Sequence, residues 1–268
     1  MGYRLAATPL LPVLYVQGRR LRRTVPRLPE PPGARVGDST TELARATPRD
    51  GAERGDGGAA MARDPLRLLV LGDSAAAGVG AASQDEALLG RLVAALGSHG
   101  PVAWRLVART GATAAGTRRH LAAHPPAPGE TYDVAVVSLG LNDVIAGRPA
   151  AAVLDDLQAI LATLARDWGV RHAVLTGMPP VGRFPALPQP LRWYLGARAR
   201  AMNAALDAWA AGRPDREVLH LEATLGALDA AAMATDGFHP GPALYAAWGR
   251  AAAARVRAWH AAQATPGA

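Results

Sequence analysis

Four short motifs place reactive side chains at intervals along this 268-residue chain. They are Gly72-Asp73-Ser74, then Gly111 within Arg109-Thr110-Gly111-Ala112-Thr113, then Gly140-Leu141-Asn142-Asp143, and last Asp236-Gly237-Phe238-His239-Pro240. A serine hydroxyl is a poor nucleophile until a neighbouring base takes its proton, and imidazole titrates near neutrality. His239 is the histidine whose motif suits that task, and Asp236, three residues earlier, can reach its second ring nitrogen within a single turn. Gly237 permits the sharp backbone path between them, and Pro240 suits the entry to a following helix. Ser74, Asp236 and His239 are therefore the candidates for acyl transfer to a serine. Each motif alone has a plainer reading. Gly-Asp-Ser is commonly a turn, Asn142 and Asp143 can bond their own backbone at a strand end, and His239 can be a polar surface residue.

The elements that must position these motifs favour the chemical reading. Short apolar runs at 66–71, 102–107, 133–139, 171–176 and 217–221 read as buried strands. Between them lie helical periods at 84–97, 149–168, 191–211 and 241–260. The clearest is 149–168, with Val153, Leu157, Ile160, Leu161, Leu164 and Trp168 at three- and four-residue steps. Strands alternating with helices predict a three-layer α/β/α sandwich around a five-stranded parallel sheet, with right-handed crossovers. In such sheets functional groups gather at the carboxyl ends of the strands. The first three motifs follow successive strands and the fourth precedes the last helix.

In that order the four motifs resemble the blocks of the SGNH hydrolases, the GDSL esterase and lipase superfamily, and most nearly its small bacterial acyl-ester hydrolases. The resemblance covers about residues 66–262. Ala75 stands where the family often has the leucine of Gly-Asp-Ser-Leu, a departure that leaves the reacting groups intact. It implies a flavodoxin-like strand order and hydrolysis of a carboxylic ester or thioester through an acyl-serine, without metal or organic cofactor. It also implies oxyanion donors at the backbone N–H of Ser74, the backbone N–H of Gly111 and the side-chain amide of Asn142. Asp73 and Asp143 are expected to orient or support. A carbohydrate O-deacetylase or an acyltransferase on the same fold is the rival activity, and a non-catalytic, membrane-tethered binding module the rival class.

Composition narrows the rest. Half of the residues are hydrophobic and about a fifth charged, as in ordinary globular proteins. Cysteine is absent, which removes disulfides, a cysteine nucleophile and thiolate metal sites. The seven histidines carry no metal spacing; His99, His120, His124, His172, His220 and His260 are expected to be structural or surface residues. Trp168, Trp209, Trp248 and Trp259 read as core packing, while Trp193 and Tyr194 follow the proline-rich loop 178–190, which is the candidate for a wall of the acyl pocket.

The net charge of +7 is local. Residues 1–36 hold seven arginines and one glutamate, and the remaining chain holds 22 arginines against 21 acids. With no nucleic-acid motif and few aromatics, nucleic acid is not an expected partner. Residues 5–16 are mostly apolar and precede Arg19, Arg20, Arg22, Arg23 and Arg27, the reverse of a secretory signal's order. They are too short to span a bilayer as a helix. The pattern fits an anchor on an anionic membrane surface or an arm packed on the body. Residues 37–64, with Gly55-Asp56-Gly57-Gly58, read as a flexible linker, 65–262 as the hydrolase domain and 263–268 as a tail. A small-molecule ester is the expected substrate, and the cytoplasm, peripheral to the membrane, the expected location, with export as the alternative.

Overall fold

The computed structural model describes residues 7–39, 64–222 and 230–264. Most of the expected linker, 40–63, and the end of the expected tail lie outside the described residues. The strands are β1 (Val36–Asp38), β2 (Leu66–Gly72), β3 (Val102–Ala108), β4 (Val134–Ser138), β5 (His172–Thr176) and β6 (Arg216–Leu219). They form one sheet in the order β1-β3-β2-β4-β5-β6. From β3 to β6 every pair is parallel, which is the expected flavodoxin-like order.

The expectation of five parallel strands needs one correction. A sixth strand, β1, pairs antiparallel with β3, Val36 opposite Arg105 and Asp38 opposite Ala103. It covers the edge that β3 would otherwise leave open. It straddles the boundary expected between the N-terminal segment 1–36 and the linker 37–64.

Burial on both faces explains why the central strands are continuously apolar. On β2, Leu69 and Leu71 face one layer while Leu68 and Val70 face the other. The first layer is built from α4 (Ala114–Ala123), α6 (Ala150–Trp168) and α7 (Leu191–Ala210); the second from α3 (Leu88–Gly97) and α8 (Pro242–Ala264). The apolar stripe of α6 is buried as its spacing predicts, from Val153 to Trp168. Two short helices, α2 (Ser74–Ala77) and α5 (Leu141–Ile145), follow β2 and β4 directly. They turn the chain at the carboxyl end of the sheet.

The N-terminal segment is packed on this body. Helix α1 (Leu11–Thr24) buries Leu14 against the α7 layer, and Gln17 ties it to the start of α7. The Gln17 amide donates to the Gln189 carbonyl at 2.7 Å and its oxygen accepts from the Leu191 N–H at 3.1 Å.

Candidate active site

The turn from β2 into α2 presents Ser74. Asp73 caps α2: its Oδ1 accepts from the Ala75 N–H at 3.1 Å, and its own N–H donates to the Ser138 carbonyl at 3.1 Å. Ser74 is then the first helical residue, where backbone N–H groups have no partner within the helix.

The loop before α8 brings His239 to that hydroxyl. Asp236 Oδ1 accepts from the N–H of Phe238 and of His239, each at 2.9 Å, while Oδ2 meets His239 Nδ1 at 2.5 Å. Gly237 sits at φ +63°, a left-handed turn that a side chain would strain. His239 Nε2 lies 2.9 Å from Ser74 Oγ. The structure thus joins Ser74, His239 and Asp236 in one chain of hydrogen bonds. Burial alone would raise the Asp236 carboxyl, but the His239 ring and the two N–H groups hold it below the usual carboxylate range.

Asn142, on α5, lines the same site. Its Nδ2 donates to the Ala112 carbonyl at 2.9 Å and lies 3.5 Å from Asp73 Oδ2. A primary amide carries two hydrogens. One is committed to Ala112, and the other reaches Asp73 only at 3.5 Å. Gly111, next to Ala112, is exposed at φ +77° and does not itself line the catalytic cavity. Asp143 is fully buried: it accepts from the Ala114 N–H at 3.0 Å and pairs with Arg148 at 2.7 Å. Arg148 also reaches Asp156 at 2.8 Å, so Asp143 fastens the Asn142 helix to the chain just after Gly111.

Burial pushes the Asp73 carboxyl up to about 6, against the Ala75 N–H and the nearby His239, which favour its charge. Asp73 therefore changes protonation in the range where an imidazole also titrates.

A cavity of about 60 Å³ opens beside these groups. Its walls are mainly apolar, with Met178 and Phe184 from the proline-rich loop, Met233 and Phe238 from the histidine loop, and Leu244 and Trp248 from α8. The proline-rich loop thus contributes to the wall, while Trp193 and Tyr194, which follow it, do not. They project from the first turn of α7, where Trp193 is exposed and Tyr194 lines a separate groove against α1. Trp248, read from sequence as packing, is buried and also walls the cavity.

One contact had no signal in the sequence. Glu30 Oε1 accepts from both the N–H and the hydroxyl of Thr110, each at 2.8 Å, and Glu30 Oε2 accepts from Arg35 at 2.9 Å. An N-terminal residue therefore steadies the residue before Gly111. The other histidines lie elsewhere. His172 contacts Pro214 and Glu217, His220 contacts Asp207, and His120 stacks on His124. Among the described residues no group of three or more histidine, aspartate or glutamate side chains is placed to hold a metal ion.

Residues 70–247 match the family model of the GDSL-like lipase/acylhydrolase family, well over half of the chain. The chain belongs to that family. It is a carboxylic ester hydrolase with the SGNH fold. Solved structures agree in fold at low identity. The psychrotrophic esterase EstA from Pseudoalteromonas sp. is 16% identical with a TM-score of 0.56, over 73% of this chain and 98% of that one. The M. smegmatis aryl esterase is 17% identical with a TM-score of 0.54, over 72% and 99%. Est24, a carbohydrate acetylesterase from Sinorhizobium meliloti, is 17% identical with a TM-score of 0.52, again over 72% and 99%. Among curated proteins no sequence match is found.

Proposed function

We propose that this GDSL-family hydrolase cleaves short-chain carboxylic esters or thioesters through an acyl-serine intermediate. The observation that carries the reading is the bonded series Ser74–His239–Asp236, at 2.9 and 2.5 Å, opening on a small apolar cavity. Ser74 Oγ attacks the substrate carbonyl as His239 Nε2 takes its proton. Asp236 holds the ring with Nδ1 protonated and stabilises the imidazolium. The carbonyl oxygen, now an oxyanion, is received by the N–H of Ser74 and the Asn142 amide, both in the cavity wall; the Gly111 N–H, which the family resemblance also implies, lies outside that lining. His239 returns the proton to the departing alcohol or thiol. A water then repeats the sequence on the acyl-serine, releasing the acid and restoring the hydroxyl.

The cavity bears on the acyl side. At about 60 Å³ it is far smaller than the ~150 Å³ apolar cavity that accepts benzene. A few-carbon acyl group fits, and a long one has to leave the pocket. The same observation favours a second reading, removal of acetyl groups from carbohydrate. A panel of nitrophenyl esters of increasing chain length, with acetylated sugars alongside and the Ser74→Ala variant as blank, tests both. Turnover is expected to be highest on acetyl to butyryl esters and to fall with length. Preference for long chains would discard the small-pocket reading, and activity confined to acetylated sugars would select the deacetylase.

The oxyanion role has its own test. Asn142→Ala is expected to lower turnover by about 10²–10³ while KM and the melting temperature change little. The amide also bonds the Ala112 carbonyl, so melting curves must accompany the kinetics. Unchanged turnover in a variant that has only lost stability would leave Asn142 a structural residue.

A further inference from the structure

We propose that the outer face of α1 docks the protein on the surface of a bilayer rich in anionic lipid, with the catalytic cavity beside that surface. The helix is built in two halves. Its inner stripe, Leu14 and Leu21 with Gln17, lies on the body. Its outer face begins apolar and ends cationic. Leu11, Val13, Tyr15 and Val16 are 51%, 46%, 64% and 62% exposed, and they make up four of the six large apolar residues exposed among the described residues. A fifth, Trp193, projects from the first turn of α7, two residues beyond the contact that Gln17 makes. Such a concentration on one short helix is unlike the scatter of single apolar residues on an ordinary surface.

The next turns carry Arg19, Arg20 and Arg23, all exposed. Arg19 leans on the Tyr15 ring and bonds its hydroxyl. None of the three is paired with a carboxylate among the described residues. A protein partner would be expected to meet shape and directional hydrogen bonds; this face offers an apolar half, aromatic residues at its margin and unpaired charge of one sign. Those are the features of a helix lying in a lipid interface with its guanidinium groups on headgroup phosphates. Among the described residues no helix is long and apolar enough to cross, and the 14 residues of α1 span only about 21 Å against a bilayer core of about 30 Å.

The placement connects the surface to the site. Between α1 and the body runs a groove of about 650 Å³, lined by Tyr15, Arg19, Ile145, Leu195 and Phe238 among others, and no carboxylate lines it. Phe238 also walls the catalytic cavity and precedes His239. Phe238 is the residue the groove and the cavity share. The docking itself does not depend on the esterase reading, and its test uses binding as the readout.

The full chain is mixed with vesicles of equal parts phosphatidylglycerol and phosphatidylcholine, and with vesicles of phosphatidylcholine alone, and sedimented at low and high salt. Binding to the anionic vesicles is expected, weakened by salt and far weaker on the neutral ones. At about fivefold per charge, the triple variant Arg19→Gln, Arg20→Gln, Arg23→Gln should lose roughly a hundredfold in partitioning. The double variant Val13→Ser, Val16→Ser should lose about tenfold, its side chains being exposed and free of folding duty. Turnover of a soluble short-chain ester should stay the same in both variants, and Ser74→Ala should bind as the unaltered chain does. Equal binding to both vesicle types, or full binding by the arginine variant, would overturn the proposal. So would vesicles left unbound together with concentration-dependent dimers on gel filtration that the valine variant abolishes, which would assign the face to a second copy of this chain.

Discussion

Replacing Ser74 by alanine is expected to lower turnover of a short-chain nitrophenyl ester about a million-fold, as loss of the nucleophile does in serine hydrolases of unrelated fold. That corresponds to about 8 kcal/mol of activation free energy. The whole of it rests on one oxygen 2.9 Å from His239 Nε2. Among the described residues no other hydroxyl in the wall can take its place: Ser138 and Thr176 line the cavity too, but His239 Nε2 bonds Ser74, and the Thr176 hydroxyl donates to the Val137 carbonyl. The fold should survive. Asp73, not Ser74, caps α2, alanine is a good helix former, and Ala75, Ala76 and Ala77 already follow. Melting should therefore move little, and the variant should still bind a short ester without covalent labelling. Intact mass spectrometry during turnover of a slow ester supplies the second readout: an acyl adduct on the unaltered chain and none on the variant. A folded Ser74→Ala protein that keeps a hundredth of the activity, or that still acquires the adduct, would remove Ser74 from the role of nucleophile.

How far the sequence revealed this arrangement depended on how local each feature was. β2 and β4 are buried on both faces, so their residues must be apolar without interruption, and such runs are visible in a single sequence. The buried face of α6 repeats at helical spacing over 19 residues, long enough for the period to stand out. α4 was missed because its buried residues, Ala114, Thr117 and Leu121, include a single large apolar side chain, and the rest is alanine, glycine, arginine and His120. β1 was missed because it is three residues of Val-Gly-Asp on a sheet edge, half-exposed, and only its pairing with β3 makes it a strand. The same contrast holds in the site. Asp236 and His239 are three residues apart and meet within one turn, so their pairing could be anticipated from spacing. Glu30 and Thr110 are 80 residues apart, and no local pattern marks a contact made by the fold alone. The cavity wall draws on a loop, a turn and a helix distant in sequence, and for that reason Trp248 could be read as core without being placed beside Ser74.

Asp236→Asn should be the next most damaging change, with turnover at neutral pH falling by about 10⁴ and the fold retained. The reason lies in which atom carries the proton. Asp236 Oδ1 accepts two backbone N–H bonds, and an asparagine would keep its oxygen there and turn its NH₂ toward His239 Nδ1. Nδ1 must then accept, the ring proton moves to Nε2, and the atom facing Ser74 Oγ has no lone pair with which to take the hydroxyl proton. Geometry is preserved and basicity is lost. Stability supplies a second, independent signature. The Asp236 carboxyl is held below its usual range in the folded chain, so in the unfolded chain it binds its proton at higher pH. Its contribution to stability is therefore complete above the unfolded value near 3.9 and is lost as pH falls through the lower folded value. Asparagine does not titrate and has no such contribution to lose. The melting temperature of the unaltered protein should exceed that of Asp236→Asn at neutral pH, and the gap should narrow as the solution is acidified below about pH 4. A variant within tenfold of the unaltered turnover would show that His239 finds its tautomer without Asp236. A gap that widens on acidification would mean that this carboxyl is not held ionised by the histidine loop.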